Sequence, residues 1–184
     1  WRRPAVLLPV TAVLLVVAAA VLVVFQPWKL FLDEVVDEAL PTAVASAPAS
    51  GPAEPSPSAS PSSVAPAPVE IARGTFVTHE HETTGSVRLL DLPDGSQVLR
   101  IEGLDTSNGP DLRVWLSDQP VLDGRDGWFV FDDGAYLELG RLKGNVGNQN
   151  YVVPPGTDLE ALTSVSIWCA RFSVSFGAAE LRPA

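Results

Sequence analysis

The sequence predicts an all-β domain, an antiparallel β-sandwich or flattened barrel, over residues 70–184. From Glu70 onward, short runs of alternating apolar and polar residues follow one another, which is the pattern of half-buried strands. Turn dipeptides such as Asp94-Gly95 and Asp133-Gly134 separate these runs. Many short strands at close spacing are typical of a sandwich or a barrel. We predict strands at residues 74–78, 86–92, 97–101, 112–116, 128–131, 135–139 and 163–177.

Residues 1–28 are predicted to be a transmembrane anchor with a basic cytoplasmic end. The run from Ala5 to Phe25 carries no charge, and a helix of that length spans the ~30 Å hydrocarbon core of a bilayer. Basic residues precede the run and acidic residues follow it, which places the N-terminus in the cytoplasm. A cleaved signal peptide is the alternative, but the run is too long for one, and Ala43-Val44-Ala45 lies far beyond it. We expect a single-pass cell-membrane protein with an extracytoplasmic C-terminal domain.

Residues 29–40 are predicted to form a short juxtamembrane helix, because Phe31, Val35 and Ala39 recur at helical spacing. Residues 41–69 are predicted to be a disordered linker. This linker contains 8 Pro, 8 Ala and 7 Ser, so it cannot bury enough apolar surface to offset its ordering entropy. Extended polyproline II would let it reach on the order of 90 Å at ~3.1 Å per residue. We therefore expect the domain to stand well clear of the membrane.

The net charge of the chain limits the partners that it can bind. The chain has 12 basic and 22 acidic residues, for a net charge of −10. Nucleic acid is a poor partner for such a chain, because binding phosphates requires a basic surface. Arginine outnumbers lysine ten to two, which is typical of high-GC bacterial genomes such as those of actinobacteria.

The predicted strand Thr163–Gly177 changes its apolar face at Trp168 and Cys169. Either a β-bulge or burial on both sides would explain the change. In both cases we expect Cys169 to be at least partly buried. We also expect Trp168, Phe172, Val174 and Phe176 to be buried together.

Several stretches resemble the DM13 family in the family's order. They are Gly74-Thr75-Phe76, residues 108–117, residues 139–151 and the Trp168-Cys169 pair ahead of Phe172-Ser-Val-Ser-Phe-Gly177. The resemblance covers nearly all of residues 74–181 and neither the anchor nor the linker. It implies an all-β fold and a role in extracytoplasmic electron transfer. It also implies that Cys169 acts as a bare thiol or as the ligand of a prosthetic group.

Cys169 is the only cysteine of the sequence, so a disulfide could only be intermolecular. Redox chemistry needs a stabilised thiolate, and Arg171 lies on the same face of a regular strand, where it could supply the positive charge. The alternative is a small buried hydrophobe with a purely structural role.

His79 and His81 are spaced so that both would point to one face of a strand. With Cys169 they would complete the His₂Cys set that copper favours. Covalent haem is excluded because its motif needs two cysteines. The cofactor therefore stays open between none, copper and non-covalent haem.

Two loops have simpler explanations. The acidic residues between Asp118 and Asp133 do not have calcium-loop spacing, and turn chemistry accounts for them. The Gly144–Asn150 stretch is expected to be a tight connection whose amides could bind a glycan.

The sequence thus predicts a tethered DM13-like domain with a redox role through Cys169, working with an envelope redox protein. The alternative is a non-catalytic module that binds a cell-wall glycan or an envelope protein, with a structural cysteine. No motif indicates an enzyme.

Overall fold

The computed structural model describes residues 4–25, 32–41 and 67–184. A single helix, α1 (Pro4–Phe25), forms the N-terminal part of what is described. Within these residues, no helix meets the length and apolarity expected of a membrane-spanning segment. Most of the predicted linker lies outside the described residues, and so do residues 29–31 of the predicted juxtamembrane helix.

Ten strands follow α1 in the described part of the chain. They are β1 (Val35–Asp37), β2 (Val69–Thr78), β3 (Thr83–Asp91), β4 (Gln97–Thr106), β5 (Leu112–Ser117), β6 (Tyr136–Arg141), β7 (Val146–Val153), β8 (Ser164–Cys169), β9 (Val174–Glu180) and β10 (Arg182–Pro183). A short 3₁₀ turn, Gly124–Gly127, lies between β5 and β6. The predicted strand at 128–131 is wrong, because this stretch belongs to the irregular connection between those strands.

The strands form one curled sheet in the order β1-β7-β4-β3-β2-β9-β8-β5-β6, with β10 paired to β2. All neighbours are antiparallel except β1 and β7. β2 belongs to both halves, because its first part pairs with β3 while Phe76, Val77 and Thr78 pair with β9. The sheet therefore curls into a half-barrel. The all-β prediction is confirmed, but the two halves are continuous through β2 and are not the separate sheets of a sandwich.

The core lies inside the curl. Leu99 and Ile101 of β4 belong to the same buried cluster as Val114 of β5 and Ile167 of β8, and all four are completely buried. Burying each such side chain contributes about 1.5–3 kcal/mol. A second, smaller cluster contains Trp115, Phe131, Trp168 and Ala178. Because one face of β8 belongs to each cluster, every residue of this strand is buried.

The predicted strand 163–177 is in fact a hairpin. β8 ends at Cys169, residues 170–173 turn, and β9 begins at Val174, which pairs with Cys169. The change of apolar face in the sequence therefore marks a reversal of the chain. Ser173 makes the turn with a φ of 49°, in the left-handed region. Phe172 is 48% exposed at this turn, so the expectation that it is buried with Trp168, Val174 and Phe176 is wrong.

The predicted helix at 29–40 is also wrong where the structure describes it. Val35–Asp37 forms β1, a parallel edge strand on β7. So short a helix is marginal in water, whereas the edge of β7 offers unpaired backbone groups to an extended segment. The Gly144–Asn150 stretch that receives β1 is largely strand, because β7 begins at Val146.

Candidate functional site

Cys169 lies at the end of β8 with its side chain in the main core cluster. It is 0% exposed, and its register neighbours are Leu112 on β5 and Val174 on β9. Burial raises the pKa of the Cys169 thiol, and backbone hydrogen bonds from Phe172 and Arg171 oppose this shift only in part. The thiol is therefore protonated at neutral pH, unlike the exposed, low-pKa thiolates of reactive cysteines.

Arg171 lies in the exposed turn after β8. Because the strand ends at Cys169, the alternation that would bring Arg171 to the same face as the thiol is interrupted. Its guanidinium acts instead on Asp111, whose pKa is lowered first by a hydrogen bond from Arg113 and further by Arg141 and Arg171. The predicted pairing of Arg171 with a thiolate therefore lacks the regular strand on which it depended.

His79 and His81 lie in the bend between β2 and β3. His79 is buried, and its Nε2 lies 3.1 Å from the carbonyl oxygen of Leu122. A carbonyl oxygen only accepts, so Nε2 carries the proton, and Nδ1 accepts from the Ser175 hydroxyl at 2.9 Å. Burial lowers the pKa of His79, although the Leu122 carbonyl and Asp123 act in the opposite direction. Both nitrogens of this ring are thus engaged by the protein.

His81 has different surroundings. Its Nε2 lies 2.7 Å from a carboxylate oxygen of Glu80, and its ring packs on Phe176 with centroids 3.9 Å apart. Among the described residues, no three His, Cys, Asp or Glu side chains are placed to hold a metal ion together. The structure therefore does not assemble Cys169, His79 and His81 into a copper site, nor the acidic loop into a calcium site.

A stack of aromatic rings connects the surface with the residue next to Cys169. Tyr136 is 48% exposed and lies parallel to Trp115, with ring centroids 4.0 Å apart and planes 6° apart. Trp115 stacks in turn on Trp168, which is 1% exposed, at 5.0 Å. Beyond Trp168 the contacts continue edge-on to Phe131 at 6.4 Å and from there to His79 at 5.9 Å. We call Tyr136, Trp115 and Trp168 the aromatic stack.

In the sequence, Trp168 is part of the Trp-Cys pair, and Tyr136 and Trp115 lie on predicted strands, but the pattern does not predict that the three rings stack. They come from β6, β5 and β8, and they meet because β5 pairs with both of the other strands. The available signal was their composition, since aromatic residues recur on several predicted strands. Without the strand order, that signal does not indicate which rings touch.

A family model described as "Electron transfer DM13" matches residues 75–181. The chain belongs to the DM13 family. The match runs from β2 to the residue after β9 and confirms the resemblance noted in the sequence. Neither the comparison with curated proteins nor that with solved structures gave a match.

The core of this DM13 domain does not suit a prosthetic group on Cys169. The sulfur is enclosed by packed side chains, and Cys169 lines neither the groove at Arg73 and Arg88 nor the small cavity at Asn108 and Leu142. The nitrogens of His79 already have protein partners. Neither haem nor copper therefore fits at Cys169 or His79.

Proposed function

We propose that this DM13 domain is a one-electron transfer module of the cell envelope, and that electrons leave it through the aromatic stack. The observation that supports this most is the stacking of Tyr136, Trp115 and Trp168 from the surface to the residue bonded to Cys169. Indole and phenol rings can lose one electron, and rings in van der Waals contact allow rapid tunnelling. Exposed Tyr136 is the point where a redox protein would dock, in the small transient contact typical of such partners.

Each turn of the proposed cycle moves one electron through the domain. An oxidised one-electron redox protein takes one electron from the outer rings of the stack. Trp168 then gives an electron to these rings and becomes the oxidised residue. The Cys169 thiol returns one electron to Trp168. Because the sulfur is enclosed, its proton would pass to a water molecule that enters when the exposed turn 170–173 opens, which leaves a sulfur-centred radical. A reduced one-electron donor then returns an electron, and the sulfur takes up a proton.

Trp115 has the surroundings of a relay. It is 6% exposed, and its indole N–H has no hydrogen-bond partner among the described residues. Because the indole N–H of Trp115 has no protein acceptor among the described residues, the ring would be oxidised and reduced without losing this proton.

We propose further that the domain is tethered to the cell membrane by the N-terminal segment and is extracytoplasmic. Two features support this. Apolar side chains of α1 are exposed, among them Leu14 at 63% and Val16 at 69%, which is unusual for a segment surrounded by water. Arg2 and Arg3 precede the uncharged run, and acidic residues follow it. The partner would then be an envelope redox protein.

Photo-oxidation tests this function directly. A ruthenium(III) tris-bipyridine oxidant, generated by a laser flash, is mixed with the full chain in detergent, and tryptophan radicals are followed by transient absorption. We expect oxidation to reach Trp168 and then decay as Cys169 refills the ring. Trp115→Phe should lower the yield of the buried radical about tenfold or more, because phenylalanine is far harder to oxidise.

Trp128→Phe is the matched control, because it makes the same chemical change at a ring outside the stack. An unchanged yield in Trp115→Phe would contradict the route. Cys169→Ala tests the cysteine separately and should prolong the Trp168 radical. If the lifetime of the radical is unchanged in that variant, the cysteine is structural and the stack alone carries the electrons.

A binding module remains the second candidate, supported by a polar groove of about 910 Å³. Its charged lining includes Glu70, Arg73, Arg88, Glu102 and Arg182. Arg88 is already paired with Glu70 and Glu102 there, so a glycan would have to compete with internal ion pairs. Binding of cell-wall fragments that Arg73→Ala abolishes, together with an inactive stack, would favour this candidate.

A further inference from the structure

The edge of β7 carries a peptide segment from the other side of the linker. β1 runs parallel to β7 with Val35 opposite Val146, Val36 opposite Gly147 and Asp37 opposite Asn148. Backbone hydrogen bonds flank this register, from the Val146 N–H to the Glu34 carbonyl at 3.3 Å and from the Glu38 N–H to the Asn148 carbonyl at 2.9 Å. The segment Asp33–Ala39 is thus added to the sheet as an extra strand.

Asn145 binds the start of this segment. Its side chain is 1% exposed, accepts the Glu34 N–H at 2.7 Å and donates to an Asp33 carboxylate oxygen at 2.9 Å. The same amide group also donates to the Thr106 carbonyl at 2.7 Å, which fixes its orientation. A buried amide with all these partners is a built recognition element.

The end of the segment meets a second group of donors. Glu38 receives Lys143 Nζ and the Asn150 N–H, each at 2.7 Å. Arg100, a 6% exposed guanidinium, donates to the Glu38 carbonyl at 3.1 Å. Between the two groups, Asn148 donates to an Asp37 carboxylate oxygen at 2.7 Å. The carboxylates of Asp33, Asp37 and Glu38 are therefore each bound by side chains or by the backbone of the domain.

Two glycines leave room for the backbone of the segment. A Cβ atom on Gly144 would overlap the Glu34 carbonyl oxygen and lie 2.7 Å from Cγ2 of Val36. A Cβ atom on Gly147 would overlap the Val36 carbonyl oxygen. Fully buried Gln149 fixes this surface, because it donates to the Gly144 carbonyl at 2.6 Å and accepts the Lys143 N–H at 3.0 Å.

From these contacts we propose that the edge of β7 is a binding site for an extended acidic peptide. The chain fills this site in cis with its own residues 33–39. Recognition rests on backbone pairing and carboxylates, because Val35 is 69% exposed and contributes little apolar burial. The glycan role considered for the amides of residues 144–150 does not fit, since Asn145, Asn148 and Asn150 are engaged by the segment.

The docked segment changes the expected architecture of the tether. Residues 42–66 connect two parts of the same domain, so they do not separate the domain from the N-terminal helix. Only residues 26–31 lie between α1 and Leu32, so Phe25 and Leu32 are seven residue steps, at most about 25 Å, apart. The domain is thus held near α1 instead of at the end of a tether on the order of 90 Å. This inference does not depend on the electron-transfer proposal.

A cleavable linker tests the site in the full chain. A specific protease site is inserted within residues 42–66, the detergent-solubilised protein is cut, and the N-terminal fragment is captured by a terminal tag. We expect the cut domain to stay bound to the captured fragment. An excess of a synthetic peptide of residues 31–41 should release it. Quantitative release on cutting alone would overturn the proposal.

Two substitutions give matched comparisons. Glu38→Gln removes a carboxylate with two charge-assisted or backbone contacts and should weaken retention about tenfold. Glu34→Gln removes the same charge from a side chain that makes none of the described hydrogen bonds, and it should retain the domain like wild type. Equal effects of these two changes would show non-specific charge attraction and overturn the proposal.

Gly144→Ala tests the close approach itself. Its backbone is outside the left-handed region, and the nearest atoms to the added methyl group all belong to the segment. We expect release of the domain on cutting with an unchanged circular dichroism spectrum and unfolding midpoint of the released domain. Retention equal to wild type would contradict the docking. Co-expression of two copies with different tags tests whether residues 33–39 bind β7 of their own chain. Capture of the cut domain of one copy by the N-terminal fragment of the other would contradict binding in cis.

Discussion

At Cys169, burial separates two properties that reactive cysteines usually combine, which are access to reagents and exchange of electrons. The thiol is 0% exposed and has a raised pKa, yet its neighbour Trp168 belongs to a stack that reaches the surface. An alkylating reagent must touch sulfur, whereas an electron needs only rings in contact. Burial and the raised pKa of the thiol therefore argue against thiol–disulfide chemistry at Cys169.

We predict that iodoacetamide labels native Cys169 at least about a hundredfold more slowly than the unfolded protein at pH 8. Burial excludes the reagent, and the raised pKa keeps the sulfur protonated. Mass spectrometry of samples quenched over time measures both rates. Rapid native labelling would show that the thiol is open to solvent and that the site is arranged differently.

His79 makes the stability of the domain depend on pH. Its pKa in the folded state lies below the ordinary 6.5, because burial favours the neutral ring. As the pH falls below about 6.5, the unfolded chain binds a proton that the folded state does not, so the free energy of unfolding falls. We predict that this loss begins as the pH is lowered through about 6.5, and urea denaturation over a pH series measures it. His79→Gln should remove that slope, and the matched control His81→Gln should keep it.

At the level of elements, the β8–β9 hairpin and the connection after β5 decide which aromatic side chains stabilise the domain. Phe131, in the irregular connection, is completely buried against Trp168, whereas Phe172, in the hairpin turn, is half exposed. We predict that Phe131→Ala costs about 3–5 kcal/mol and that Phe172→Ala costs much less. Chemical denaturation of both variants measures the difference. A larger loss at Phe172 would show that the turn is packed more tightly than described.

Strands with a regular alternation of apolar and polar residues could be predicted from the sequence. The prediction was wrong where contacts between distant residues determine the secondary structure. The predicted strand at 112–116 lies within β5, and that at 97–101 is the first half of β4. Local pattern could not distinguish a bulge from a hairpin at Trp168-Cys169, because both change the apolar face. It also gave Val35 a helical period, since the partner edge of β7 lies more than a hundred residues away. The aromatic stack was missed for the same reason.

In the whole molecule, the distance between the domain and α1 is set by where β1 docks and not by the length of residues 42–66. A linker in series would leave the domain free to search the envelope, but a docked β1 keeps it beside α1. A domain whose Leu32 lies within about 25 Å of the end of α1 would meet its redox partner at the membrane surface, and the stack would then serve membrane-bound partners. The proposed tethering and the proposed electron route are thus consistent with each other, although each is tested separately.

Protease treatment of intact cells without their wall tests the orientation and the docking together. If the domain is extracytoplasmic, protease added outside should cut within residues 42–66, which are rich in Pro, Ala and Ser. Because residues 33–39 stay docked on β7, the cut domain should nevertheless sediment with the membranes, and Glu38→Gln should shift it to the supernatant. Immunoblots of the two fractions measure this. Cleavage only after lysis would contradict the orientation, whereas release of the wild-type domain would contradict the docking.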